Sequence, residues 1–124
     1  MNGLPEKDCV FIGSSLADIS AIPDAVKRVF GFAIRAAQRG SKHPDAKPLK
    51  GFGGASVLEV VEDFDRSTYR AVYTVKFDDV VYVLHVFQKK SRKGKATPKH
   101  DIDLIRKRLK EAERQHKQRP RKIA

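Results

Sequence analysis

The chain has no tryptophan, one cysteine, one methionine and no long apolar run. Each absence excludes something. A lone cysteine, Cys9, cannot form a disulfide within the chain, so the fold must rest on its core. Cys9 itself reads as a small buried apolar residue in a reducing compartment. The longest apolar run, Val80 to Leu84, is far too short to span a bilayer. Glu6, Lys7 and Asp8 are followed by no apolar signal-peptide core. A soluble, cytoplasmic protein is expected. The histidines are His43, His85, His100 and His116, with no close pair at ligand spacing and one distant cysteine, so no metal is expected. The glycines of "LKGFGG" lack the Gly-Lys-Ser/Thr ending and the following helix of a phosphate-cradling loop. No cofactor is expected either.

Positive charge is what the chain has in excess. The formal net charge is +11 over 124 residues. Residues 1–87 hold 11 bases and 11 acids, whereas residues 88–124 hold 15 bases and 4 acids. The whole excess therefore follows the apolar run that ends at Phe87. Clustered Lys and Arg suit a phosphate backbone, an anionic membrane or an acidic protein partner. A solvated basic tail is the bland alternative.

The length suits one domain, with a core at about residues 8–113 and a basic tail at about 114–124. "CVFIGSS" reads as a short edge strand. Ser14 or Ser15 can cap a short helix through "SLADISAI", and Pro23 suits the first turn of a second. Val26, Val29, Phe30, Ala33, Ala36 and Ala37 recur at helical spacing there, and Gly40 suits the helix end. Strands are expected around Ser56–Glu62, over "STYRAVYTVKF" and over "VVYVLHVF", the last apolar on both faces and so central. Thr97 is expected to cap a last helix, with Pro98 at its first position and an apolar stripe of Ile102, Ile105, Leu109 and Ala112. The class is α+β: an N-terminal strand and a helical hairpin packed on a small antiparallel sheet, with a C-terminal helix.

Arg70 stands out inside a strand, between Tyr69 and Ala71. If Asp78 and Asp79 form a two-residue turn, Phe77 pairs with Val80, Arg70 with Phe87 and Val72 with His85. Arg70 then stands beside the start of "QKKSRK". Several cations fixed around one point are unfavourable unless an anion sits among them, although a strand arginine is commonly just solvent-facing. His85 is either a satisfied core histidine or a general acid/base at the sheet's end.

The ordered set "KPLKGFGG", "LEVVE", "TYRAVYTV", "LHVFQKKSRK" and "TP" opening a helix resembles the HigB/RelE-type toxins, in particular their phage-derived branch within the RelE/ParE superfamily. The resemblance spans roughly residues 8–113. It implies a microbial-RNase-like fold and the toxin of a type II toxin–antitoxin pair. It also implies a metal-free endoribonuclease that cuts mRNA, on the translating ribosome, by attack of the 2′-OH on the adjacent phosphate. That reaction needs a base, an acid for the leaving oxygen, and cations for the developing charge. By the match, Arg70 meets the scissile phosphate, Lys90 the phosphate or leaving group, and His85 is an acid/base candidate. Lys89, Arg92, Lys93 and Lys50 would bind RNA. The implied partners are mRNA, the ribosome and a helix-turn-helix, HigA-like antitoxin, with no membrane. Relatives commonly carry a basic residue where this chain has Val61. A ParE-like inhibitor of DNA gyrase and a non-catalytic RNA- or ribosome-binding module are the alternatives.

Overall fold

A computed structural model describes residues 6–89 and 96–120. Eight elements follow in order: β1 (Asp8–Phe11), α1 (Ser15–Ala21), α2 (Asp24–Gln38), β2 (Lys47–Pro48), β3 (Val57–Phe64), β4 (Ser67–Thr74), β5 (Val80–Lys89) and α3 (Lys99–Gln118). The sheet order is β1-β5-β4-β3-β2. β1 joins β5 in parallel, and every other pairing is antiparallel. The α+β class is as expected, and β2 is the one strand among the described residues that sequence reasoning missed. It is only two residues long and contains Pro48, so no alternation could reveal it.

The sheet is covered on both faces. α1 and α2 lie on one, where Val26, Phe30, Ala33 and Ala37 meet Leu58, Val60, Tyr73, Val81 and Val83. α3 lies on the other, where Ile105 and Ala112 meet Val57, Val72, Val80, Tyr82 and Leu84. Two buried faces explain why β5 reads as a continuous apolar run. It is an interior strand, while β4 holds the middle place.

Local chemistry ends the helices. Gly40 adopts φ 82° after α2. Its N–H donates to the Ala37 carbonyl at 3.0 Å, and the Ser41 N–H donates to Ala36 at 2.8 Å. These are the paired bonds of a Schellman end, in which glycine carries the left-handed turn without strain. α3 corrects two expectations. Pro98, not Thr97, holds the capping position, and no side chain caps the helix. The helix also runs to Gln118, beyond the expected start of a solvated tail near Arg114. Its last turns are anchored: His116 stacks on Phe77 at 4.0 Å and bonds the Tyr82 hydroxyl at 2.9 Å, and Arg119 pairs with Asp8.

The β4–β5 register explains the site's geometry. Arg70 pairs with Phe87 and Val72 with His85, as expected from sequence. Nearer the turn, Tyr73 pairs with Val83 and Thr74 with Tyr82, so one extra residue, Leu84, sits in a bulge. The strands are joined by residues 75–79 and not by a two-residue turn. The longer connection shifts the pairing by one residue, and the bulge shifts it back. The bulge also puts Leu84 and His85, consecutive residues, on the α3 face: Leu84 belongs to the α3-side core and His85 bonds α3 directly.

Candidate functional site

Three elements bring polar groups together where α3 begins. β3 contributes Glu59, β4 contributes Arg70, and Thr97 lies just before α3. Arg70 Nη1 is 3.2 Å from Glu59 Oε2, and the two side chains are 5% and 13% exposed. Thr97 Oγ1 donates to the same Glu59 oxygen at 2.7 Å and lies 3.4 Å from Arg70 Nη1. Thr97 therefore ties the approach of α3 to the sheet and does not cap the helix. The Arg70 guanidinium is enclosed in this ion pair. Val61 is the cross-strand partner of Arg70 and is partly exposed. A cation at that position would stand next to Arg70.

The second cluster surrounds His85, which is buried. Its Nε2 is 2.8 Å from Asp101 Oδ1 on the first turn of α3. The other Asp101 oxygen is 3.2 Å from His100 Nε2. On its opposite side, His85 Nδ1 faces Arg108 Nη1 at 3.5 Å. The Phe87 ring stacks on the imidazole at 4.3 Å, with 16° between planes. A carboxylate on one nitrogen demands a proton there, and a guanidinium on the other demands a lone pair. The imidazole is therefore assigned as the neutral Nε2–H tautomer. Burial lowers the His85 pKa below its ordinary value, and the Arg108 charge acts in the same direction, while Asp101 opposes both. Desolvation of the cation wins over its carboxylate partner.

His85 also lines a cleft of about 400 Å³ with Asp18, Ile22, Pro23, Tyr69 and Gln88. The cleft exists because β1 accompanies β5 only as far as the Phe11–Val83 pair. Ser15 then turns the chain away, its hydroxyl donating to the Val83 carbonyl at 3.1 Å. Beyond that point the end of β5 faces α1 and open space.

The other expected site residues are dispersed. Lys89 ends β5, opposite Thr68, and its Nζ donates to the Ala96 carbonyl at 2.7 Å. Lys50 is exposed on the β2–β3 connection, where Phe52 lies under Arg106 of α3 at 4.6 Å. It is not part of either cluster. Lys90, Arg92 and Lys93 lie outside the described residues. Among the described residues no group of His, Cys, Asp and Glu is placed to hold a metal ion. No described helix is long and apolar enough to cross a membrane.

Asp101, Arg108, Glu59 and Thr97 escaped sequence reasoning. A signal for two of them was present. Asp101, Ile105, Arg108 and Ala112 recur at helical spacing, so two charges occupy positions of the buried stripe.

A model of the family described as "Phage derived protein Gp49-like (DUF891)" matches residues 17–110. The chain belongs to the Gp49-like family. The matched region runs from α1 into α3 and contains both polar clusters. This is a family of toxin components of toxin–antitoxin systems of the RelE/ParE type. No curated protein and no solved structure gave a significant match. Membership in the Gp49-like family is consistent with the toxin class and suggests an antitoxin partner.

Proposed function

We propose that this Gp49-like toxin is a HigB-like, metal-free endoribonuclease that cleaves mRNA on the translating ribosome in the cytoplasm, and that a helix-turn-helix antitoxin neutralises it. The observation that carries the reading is His85. It is a neutral imidazole held by a carboxylate, in a cleft at the end of the strand where the chain's excess positive charge begins. A carboxylate-oriented imidazole can take the proton of a ribose 2′-OH through Nδ1, its second nitrogen, once the Arg108 guanidinium that faces it at 3.5 Å turns to the RNA phosphate. Lys89 stands four residues along the same strand, and Lys90, Arg92 and Lys93 follow it in sequence. They supply cations for RNA phosphates and for the charge that develops in the transition state. Arg70 serves the scissile phosphate in this reading after exchanging Glu59 for it.

Primer extension on translated mRNA after induction tests the proposal. Wild type is expected to give discrete new 5′ ends, and His85→Gln and Lys90→Ala are expected to lose them. Identical patterns for all three, from equally folded proteins, would remove the assigned site. Supercoiling inhibition without RNA cleavage would replace the reading with gyrase inhibition. Stable ribosome binding with intact mRNA would leave a binding module.

A further inference from the structure

The histidine of the proposed site is held by more than its carboxylate. Charged or titratable groups face it from two elements. α3 supplies Asp101, with His100 on that carboxylate's other oxygen, and Arg108, while α1 supplies Asp18. β4 places uncharged Val72 across from it.

Arg108 is the least expected of these groups. Its Nη1 donates to the Leu84 carbonyl at 2.9 Å, and its Nη2 donates to Ser14 Oγ at 3.1 Å. Ser14 in turn donates its own hydroxyl hydrogen bond to Asp18 Oδ2 at 2.7 Å. Below the guanidinium lies Gly13, with φ +60°. A Cβ built there would stand 2.8 Å from Arg108 Nε and 2.9 Å from Cζ. The bare backbone of the β1–α1 turn therefore makes the seat in which the guanidinium lies. From that seat Nη1 reaches to 3.5 Å from His85 Nδ1. The contact is long for a hydrogen bond and works mainly through charge. A proton on Nδ1 would point at the guanidinium's N–H groups, whereas a lone pair is attracted to them. Asp101 sets the complementary demand at Nε2.

We infer that Arg108, seated on Gly13, is a positioning residue for His85, holding the imidazole neutral with its proton on Nε2 and its lone pair on Nδ1. The catalytic consequence rests on the ribonuclease reading, because a general base needs that lone pair and RNA must first draw Arg108 off it. The positioning itself needs no RNA.

Nitrogen NMR of the full chain, labelled at histidine and titrated with pH, tests it. The wild-type spectrum is expected to place the lone pair on Nδ1. Arg108→Gln keeps an amide donor but removes the charge, and is expected to raise the His85 midpoint. Arg108→Lys retains the charge and is expected to stay close to wild type. Gly13→Ala strains the turn at φ +60° in addition to displacing the flexible end of Arg108, and is expected to shift the midpoint upward as well. A proton on Nδ1 in wild type overturns the inference without any variant, so loss of folding in one variant cannot shield it. A midpoint unmoved in both Arg108→Gln and Gly13→Ala also overturns it. In RNA cleavage, the acid limb of the pH–rate profile should move to higher pH in Arg108→Gln and return in Arg108→Lys. If the tautomer and midpoints behave as expected but no RNA is cut at any pH, the positioning stands and the ribonuclease reading falls.

Discussion

Arg70→Ala is the substitution that the family resemblance would choose to abolish activity, and the structure says it will do something else first. The Arg70–Glu59 pair is nearly excluded from water, at 5% and 13% side-chain exposure and 3.2 Å. At an effective dielectric of about 20, such a pair attracts by about 4–5 kcal/mol. Desolvation of both ions offsets much of that in the intact protein, so the pair adds little net stability. Removing one partner is different, because the largely enclosed Glu59 then keeps only Thr97 of the two partners named above. Breaking a buried pair this way costs about 3–5 kcal/mol, a large share of the roughly 5–15 kcal/mol of a whole domain. Urea denaturation at neutral pH is the assay. With a slope of about 2 kcal/mol per molar, the midpoint should fall by about 1.5–2.5 M. The double variant Glu59→Leu/Arg70→Met removes both charges together and should recover to within about 1 kcal/mol of wild type. A midpoint for Arg70→Ala within about 0.3 M of wild type would refute the buried-pair account, since an exposed arginine costs that little. The double variant also separates stability from chemistry. If it folds and cleaves mRNA normally, Arg70 serves the fold. If it folds and is inactive, the guanidinium is needed at the phosphate.

Three further outcomes are expected. The hairpin joining β3 and β4 places Asp65 at φ 51° and Arg66 at φ 68°, so Arg66→Gly should stabilise by about 1 kcal/mol in thermal or urea unfolding, as the left-handed strain of a side chain is relieved. Burial pushes the Cys9 thiol up to about 11, so alkylation of native protein at neutral pH should be slow and should become fast in denaturant. His85 is held below its ordinary value of 6.5, so the folded state binds fewer protons than the unfolded chain as pH falls through that value. The stability contributed by its neutrality is complete above pH 6.5 and is lost on acidification. Urea midpoints measured at about pH 7.5 and 5.5 should therefore differ more in wild type than in His85→Gln.

Much of the fold was legible because its signals are local. Helical spacing of apolar residues located α2 and α3. A run apolar on both faces located an interior strand, and Gly40 marked a helix end. The β3–β4 hairpin was harder, since Asp65 and Arg66 are not a common turn pair. The site was legible only in outline. Arg70 and His85 were singled out, and their pairing with Phe87 and Val72 was foreseen, but through a turn that the chain does not make. A five-residue connection and a one-residue bulge happen to cancel.

The class of fold, the placement of the excess charge and the family to which the chain belongs all follow from the order of amino acids. These depend on composition, periodicity and ordered short segments, all of which are properties of neighbours along the chain. Which polar residues face one another depends on how the elements pack in three dimensions. Glu59 meets Arg70 diagonally across two strands, and Thr97 joins them from the approach to α3. Asp101 and Arg108 reach His85 only because α3 crosses the sheet there and the bulge at Leu84 turns His85 toward it. A buried charge needs its partner from wherever the fold supplies one, and such partners are distant in sequence. The environment that holds His85 neutral is therefore written in no single segment.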